Sequence, residues 1–303
     1  MMNKIMFFDD AIINYTNDKI DTDYTDAKKL FLEASEKCSI SEMSYFLRYP
    51  HIDINDTIDS ITALHNVCRS SCNGFKKNII KNAVEFLLFK GANVNAKTSF
   101  GDTPLHYLAE GASYGNEDLS EILLLLIHYG ADVNIKSSTD CLPLHHAVTV
   151  NIYSKDKIQR KEQQDNALKF IKILIDNCTI AGTDSVEFIN TESKNFRTPL
   201  DFAITKFRDF GYRDSRVILL LILNGAIINN PSKKQIEILE HFDFVKKIKK
   251  ESECVICFDN FVNIHFLSTC FHSFMCSDCY EKLISKKCPL CRSSLFNFDE
   301  YCI

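Results

Sequence analysis

Short polar phrases and dense apolar runs alternate along most of this chain. Ile122–Ile127 and Val217–Leu223 are apolar nearly all round, as expected of helices packed between neighbours. Both are too short to span a bilayer. Gly91, Gly130 and Gly225 sit just past such runs, where a left-handed residue ends a helix at little cost. Ahead of the runs one phrase recurs: Thr62-Ala63-Leu64-His65, Thr103-Pro104-Leu105-His106, Leu142-Pro143-Leu144-His145 and Thr198-Pro199-Leu200-Asp201. Thr then Pro starts a helix, the hydroxyl capping free amides and the ring filling the first position, where no N–H is needed. Lys233–Lys250 reads as a further helix, apolar at Ile236, Leu239, Phe242 and Val245 with lysines on its other face.

A second phrase closes each helix pair: Gly91-Ala92-Asn93-Val94-Asn95, Gly130-Ala131-Asp132-Val133-Asn134 and Gly225-Ala226-Ile227-Ile228-Asn229, with degraded copies at His51–Asn55 and Val186–Asn190. These phrases resemble those of ankyrin repeats over residues 24–232. The resemblance implies a solenoid of five units, the first beginning near Tyr24 and the units ending near Asn55, Asn95, Asn134, Asn190 and Asn229. The opening phrases lie 41, 39 and 56 residues apart, against about 33 for an uninterrupted repeat. The surplus is expected in exposed loops at Asn73–Asn82, Glu110–Asp118 and Asn151–Asp165. His65, His106 and His145 recur with the repeat and are expected to bridge backbone groups of adjacent units. Cys38, Cys68, Cys72, Cys141, Cys178 and Cys302 lack ligand spacing and are expected to pack as small apolar groups. The 233–250 helix would cap the solenoid with a polar outer face.

Beyond it, Cys254, Cys257, Cys270, His272, Cys276, Cys279, Cys288 and Cys291 follow the spacing C-x2-C-x12-C-x-H-x3-C-x2-C-x8-C-x2-C. Two residues between thiolates let both sulfurs reach one zinc ion at about 2.3 Å. Eight ligands fill two tetrahedral shells, and closed shells mark structural rather than catalytic zinc. Spacing alone leaves consecutive and interleaved sites open. A ligand-spaced histidine in fourth place argues against a disulfide framework and against zinc modules that carry the histidine later.

This spacing, with Cys288-Pro289-Leu290-Cys291-Arg292, resembles the RING finger of ubiquitin ligases over residues 251–303. The nearest likeness is to the RING of inhibitor-of-apoptosis proteins, from which Phe271 departs because that subgroup usually has Gly there. The resemblance implies interleaving, with Cys254, Cys257, Cys276 and Cys279 on one ion and Cys270, His272, Cys288 and Cys291 on the other. It also implies that Ile256, Leu283 and Pro289 contact a ubiquitin-conjugating enzyme and that Arg292 is a cation bridging that enzyme and ubiquitin, with no covalent catalytic residue. The apolar tail, with Leu295, Phe296, Phe298, Tyr301 and Ile303, would either pack across a RING homodimer or cover the second zinc site of a monomer.

The expected architecture is therefore mainly α: an N-terminal segment (1–23), ankyrin repeats (24–232), a capping helix or linker (233–250) and a small zinc-stabilised α+β RING domain (251–303). Residues 1–15 carry only a brief apolar stretch before Asp9 and Asp10, so no signal or transit peptide is expected, and reduced thiols point to the cytoplasm. A net charge of −5, with acidic residues interrupting the lysines of 233–250, argues against nucleic acid as a partner; nor is a membrane partner expected. The richness in Asn, Ile, Lys and Phe resembles proteins of AT-rich genomes, and the ankyrin–RING pairing those of large DNA viruses, although an AT-rich protist fits too. A viral protein would act in the host cytoplasm. The pairing implies a RING-type ubiquitin ligase whose solenoid selects an unknown protein substrate. The alternative is a non-enzymatic adaptor whose RING serves only for interaction or dimerisation.

Overall fold

The computed structural model describes residues 24–150, 156–181, 184–210, 216–226, 252–253 and 260–261. The repeated phrases become stacked helix pairs: α1 (Tyr24–Glu36) with α2 (Ile40–Phe46), α3 (Ala63–Arg69) with α4 (Lys77–Phe89), and α5 (Pro104–Ser113) with α6 (Ser120–His128). The fourth unit holds α7 (Pro143–Ala147), α8 (Lys157–Asn177), a 3-10 turn (Cys178–Ala181) and a short α9 (Ser185–Ile189). The fifth pairs α10 (Pro199–Phe210) with α11 (Arg216–Leu223). One apolar core runs through the stack, with Phe31, Leu64, Leu105, Leu123, Leu144, Phe170 and Leu200 all but fully buried. No single unit could bury its apolar face alone, so stability is shared between neighbours.

The opening phrase acts as a cap that reaches into the next unit. In α5, the Thr103 N–H donates to His106 Nδ1 at 3.0 Å, which leaves Nε2 to donate to the Cys141 carbonyl of the following loop at 3.1 Å. His65 repeats this with the Thr62 N–H (3.2 Å) and the Asp102 carbonyl (3.1 Å). The bridging role expected for these two histidines is observed. His145 completes only half of it. Its Nδ1 accepts from the Leu142 N–H at 3.0 Å, but Nε2 is buried without a hydrogen-bond partner. In the last phrase Asp201 replaces histidine and closes the cap by accepting from the Thr198 N–H and hydroxyl, each at 3.0 Å.

The closing phrase forms a second seam. After α6, Gly130 turns left-handed (φ 89°) and the Ala131 N–H reaches back to the Leu126 carbonyl at 2.9 Å. The asparagine that ends each unit then bonds the next. Asn55 donates to the Gly91 carbonyl (3.3 Å) and accepts from the Asn93 N–H (2.7 Å), and Asn95 does the same with Gly130 (2.8 Å) and Asp132 (3.0 Å). Asn190, in a degraded copy, donates to the Gly225 carbonyl at 2.8 Å.

The fourth unit interrupts the seam. Cys178 stands where its neighbours have glycine and keeps right-handed backbone (φ −65°), so α8 runs on into the 3-10 turn. Asn134 still donates to the Cys178 carbonyl at 3.1 Å, but its Oδ1 is buried without a partner. The surplus residues of the unit then form α9, and Asn190 at its C-cap restores the pattern.

The three expected loops are partly helical, while 73–76 and 114–118 remain turns or loops as expected and 151–155 lie outside the described residues. Lys77–Asn82 opens α4, with Ile80 buried, and α5 continues to Ser113 with Gly111 and Ala112 buried. Residues 157–165 form the first turns of α8 because the 114–119 segment supplies partners for them. Gln163 Nε2 donates to Asn116 Oδ1 (2.7 Å), Asn166 Nδ2 to the Gly115 carbonyl (3.0 Å), and Lys169 pairs with Asp118 (2.7 Å). A Cβ at Gly115 would collide with the Gln163 carbonyl group, so only glycine allows this approach. The expected 233–250 helix lies outside the described residues.

Candidate functional site

Helices α5, α7 and α10 lie side by side and form the floor of one face of the stack, next to the turns between units. The turns at 98–102, 137–141 and 193–197 share one hydrogen-bond pattern, closed by Thr98 to Asp102, Ser137 to Cys141 and Ser193 to Arg197. Adjacent tips are joined through backbone, Ser138 N–H to the Phe100 carbonyl (2.7 Å) and Lys194 N–H to the Thr139 carbonyl (2.9 Å).

On the floor, the residue after each of the last three phrases forms an aromatic row: Tyr107, His146 and Phe202. Each ring is met edge-on by the buried histidine of the preceding unit. The pairs are His65–Tyr107 (5.8 Å between centroids), His106–His146 (5.6 Å) and His145–Phe202 (5.3 Å). Edge-to-face contact at these distances is the favoured aromatic geometry. The buried histidines thus hold the floor rings in place. Burial lowers the pKa of His65 to about 4, of His106 to about 3 and of His145 to about 4, so all three are neutral at pH 7.

Between the turn tips and the floor lies a half-open concavity of about 240 Å³, walled by Phe100, Asp102, Ser138, Thr139, His146 and Phe202. Of the lining residues, the sequence singles out only His145, as a bridge between units, and Cys141, as a packing group. The available signal was the position after the fourth residue of each phrase, which repeats an aromatic or imidazole ring from Tyr107 onward.

No group of three or more His, Cys, Asp or Glu side chains is placed to hold a metal among the described residues. Cys38, Cys68, Cys141 and Cys178 are buried free thiols and Cys72 is half-buried, in keeping with a packing role. Burial pushes the Cys72 thiol up to about 11 and that of Cys68 higher still. No described helix is long and apolar enough to cross a membrane.

At the C-terminal end, β1 (Ser252–Glu253) and β2 (Asn260–Phe261) pair antiparallel, Ser252 opposite Phe261 and Glu253 opposite Asn260. Cys254 and Cys257 fall in the connection between these strands. Those two cysteines, Cys270, His272, Cys276, Cys279, Cys288 and Cys291 lie outside the described residues, as do Ile256, Leu283, Pro289, Arg292 and the apolar tail. The chemistry of the donor set nonetheless suits zinc: thiolates and one imidazole, in pairs whose spacing lets two ligands reach one ion.

Comparison with known families gives two matches. The model for ankyrin repeats (three copies) matches residues 30–137 and 74–155, and the model for C3HC4-type zinc fingers (RING fingers) matches residues 250–297. The chain therefore carries ankyrin repeats and a C3HC4-type RING finger, a family that typically binds zinc. The helix pairs continue beyond the matched repeats, with the Thr198–Asp201 cap and the Asn190–Gly225 bond repeating the same devices. No curated protein matches the chain.

Proposed function

We propose that this chain is a RING-type ubiquitin ligase, with its ankyrin solenoid selecting a protein substrate. The observation that carries this reading is the RING-family match at residues 250–297 on a segment that keeps all eight ligand positions, Cys254 to Cys291. Bound zinc, two ions in closed shells, would fold this short module, which buries too little apolar surface to hold itself. The residues of the chain then act by binding and orientation. Ile256, Leu283 and Pro289 offer apolar contact to a ubiquitin-conjugating enzyme. Arg292 donates to carbonyls of both that enzyme and its linked ubiquitin, favouring the reactive pose. The tail from Ser293 to Ile303 would either pack across a RING homodimer or cover the second zinc site of a monomer, and thiols kept for zinc are in keeping with action in the cytoplasm.

The test is discharge of ubiquitin from charged conjugating enzymes by the full-length protein. Ile256→Ala should abolish or strongly reduce discharge, since losing an interface anchor commonly costs about 2 kcal/mol or more. Arg292→Ala should slow discharge with little loss of affinity for the uncharged enzyme, because its geometry exists only with ubiquitin attached. Parental rates in both variants would overturn the reading.

A further inference from the structure

We propose that the concavity between the turn tips and the floor of the solenoid is a specificity pocket for a basic side chain, arginine before lysine, of a bound protein segment. The proposal rests on the reading of the solenoid as the substrate-selecting part. Its centre is Asp102. The bonds of this residue run through its backbone: the N–H donates to Thr98 Oγ1 (3.2 Å), and the carbonyl accepts from the Thr98 N–H (2.9 Å) and His65 Nε2 (3.1 Å). Asp102 lines the cavity and enters no ion pair among the described residues. Partial burial, and then the charge of Glu110, raise its pKa. A half-buried carboxylate held this way is stabilised by an incoming cation.

The walls favour the same occupant. Phe100, two residues before Asp102 and lining the same cavity, is 68% exposed, and an aromatic face near a carboxylate attracts a cation by both its quadrupole and the neighbouring charge. His145 and His146 also line the cavity. Burial lowers both pKa values, so neither ring opposes a positive ligand at pH 7. Oxygen acceptors complete the wall. The hydroxyls of Ser137 and Thr139 are 2.9 Å apart, and Thr149 donates its own proton to the His146 carbonyl at 2.7 Å, which leaves its lone pairs free.

A guanidinium, flat and carrying five N–H donors, can stack on a ring while meeting a carboxylate and several hydroxyls. An ammonium offers three donors and no stacking plane. At the other end, Arg197 already lies over the Phe202 ring at 4.6 Å. Its charge repels a second cation from that ring and directs an incoming one to Phe100 and Asp102.

A random heptapeptide library on phage, selected on the immobilised full-length protein, should enrich sequences with arginine, or less often lysine, at one position. A synthetic peptide from that selection should lose about tenfold or more in affinity when the arginine is replaced by neutral citrulline, consistent with losing a partly desolvated charge and ring contact. Asp102→Asn should weaken the arginine peptide by a similar factor and leave the citrulline peptide unchanged. Phe100→Ser, at an exposed tip, supplies a second variant should the first fail to fold, and should cost several-fold in affinity for the arginine peptide. Enrichment of acidic or wholly apolar peptides, no enrichment, or equal binding of the arginine and citrulline peptides would overturn the proposal. Ubiquitin discharge on the same preparation separates the two readings. Discharge without selection for a basic residue removes the pocket alone, and selection for one without discharge removes the ligase alone.

Discussion

His106 Nε2 lies 3.1 Å from the carbonyl oxygen of Cys141, and this bond joins the cap of one helix to the turn that opens the next unit. One imidazole satisfies the Thr103 N–H on its own unit and a carbonyl on its neighbour, both in a setting where an unmet polar group costs about 1–3 kcal/mol. His106→Ala should therefore lower unfolding free energy by about 2–4 kcal/mol, as read from urea denaturation. His145→Ala should cost clearly less, because its Nε2 is already unpaired. Equal losses in the two variants would argue that packing, not the bridge, sets the value of the histidine.

These histidines also make stability depend on pH in a defined direction. Their folded pKa values lie near 4, 3 and 4 for His65, His106 and His145, below the unfolded value of about 6.5. Between the two values the unfolded chain binds more protons than the folded one, so stability rises with pH. The contribution is fully present above about pH 6.5 and is lost as pH falls toward the folded values. The urea midpoint should drop steadily from pH 7 to pH 4.5. His106→Gln, which keeps hydrogen-bonding capacity but does not titrate, should flatten that slope.

Much of the solenoid was legible because its signals are local. The Thr62 and Thr103 caps, the glycine after α6 and the asparagines at 55, 95 and 190 sit inside short phrases, and each does in the fold what its residue type favours. The 157–165 stretch was not legible as helix because its partners, Gly115, Asn116 and Asp118, are remote in sequence. Its charges alone suggested a solvated loop. The concave site was hidden for a related reason: Asp102 and His146 acquire meaning only when the turn of one unit is placed over the floor of the next. The candidate zinc ligands stand out in the sequence itself, since paired cysteines carry their geometry in their spacing.

Asn95 closes two bonds to the following unit, to the Gly130 carbonyl and the Asp132 N–H. Asn95→Ala should cost about 1–3 kcal/mol. Asn134→Ala should cost less, since Asn134 makes one such bond and carries an orphan oxygen. Urea midpoints of the two variants, measured side by side, check the order.

Zinc removal should divide the chain into two responses. A strong chelator should strip about two ions per chain and unfold the segment from Glu251 onward, because metal binding supplies on the order of 10–16 kcal/mol of apparent folding free energy to such modules. The helical circular dichroism signal should persist, as the repeats draw their stability from one another. Metal analysis giving one ion per folded chain, or collapse of the helical signal on chelation, would contradict this division.

The replacement of glycine by Cys178 has a mechanical consequence. Along the edge where asparagines rivet successive units, the joint between the third and fourth carries a single bond from Asn134. The opposite edge is braced by α8, whose Gln163, Asn166 and Lys169 grip the preceding unit. Load passing between these two units is therefore shared between the Asn134 bond and α8, which works as a strut against the 115–118 segment.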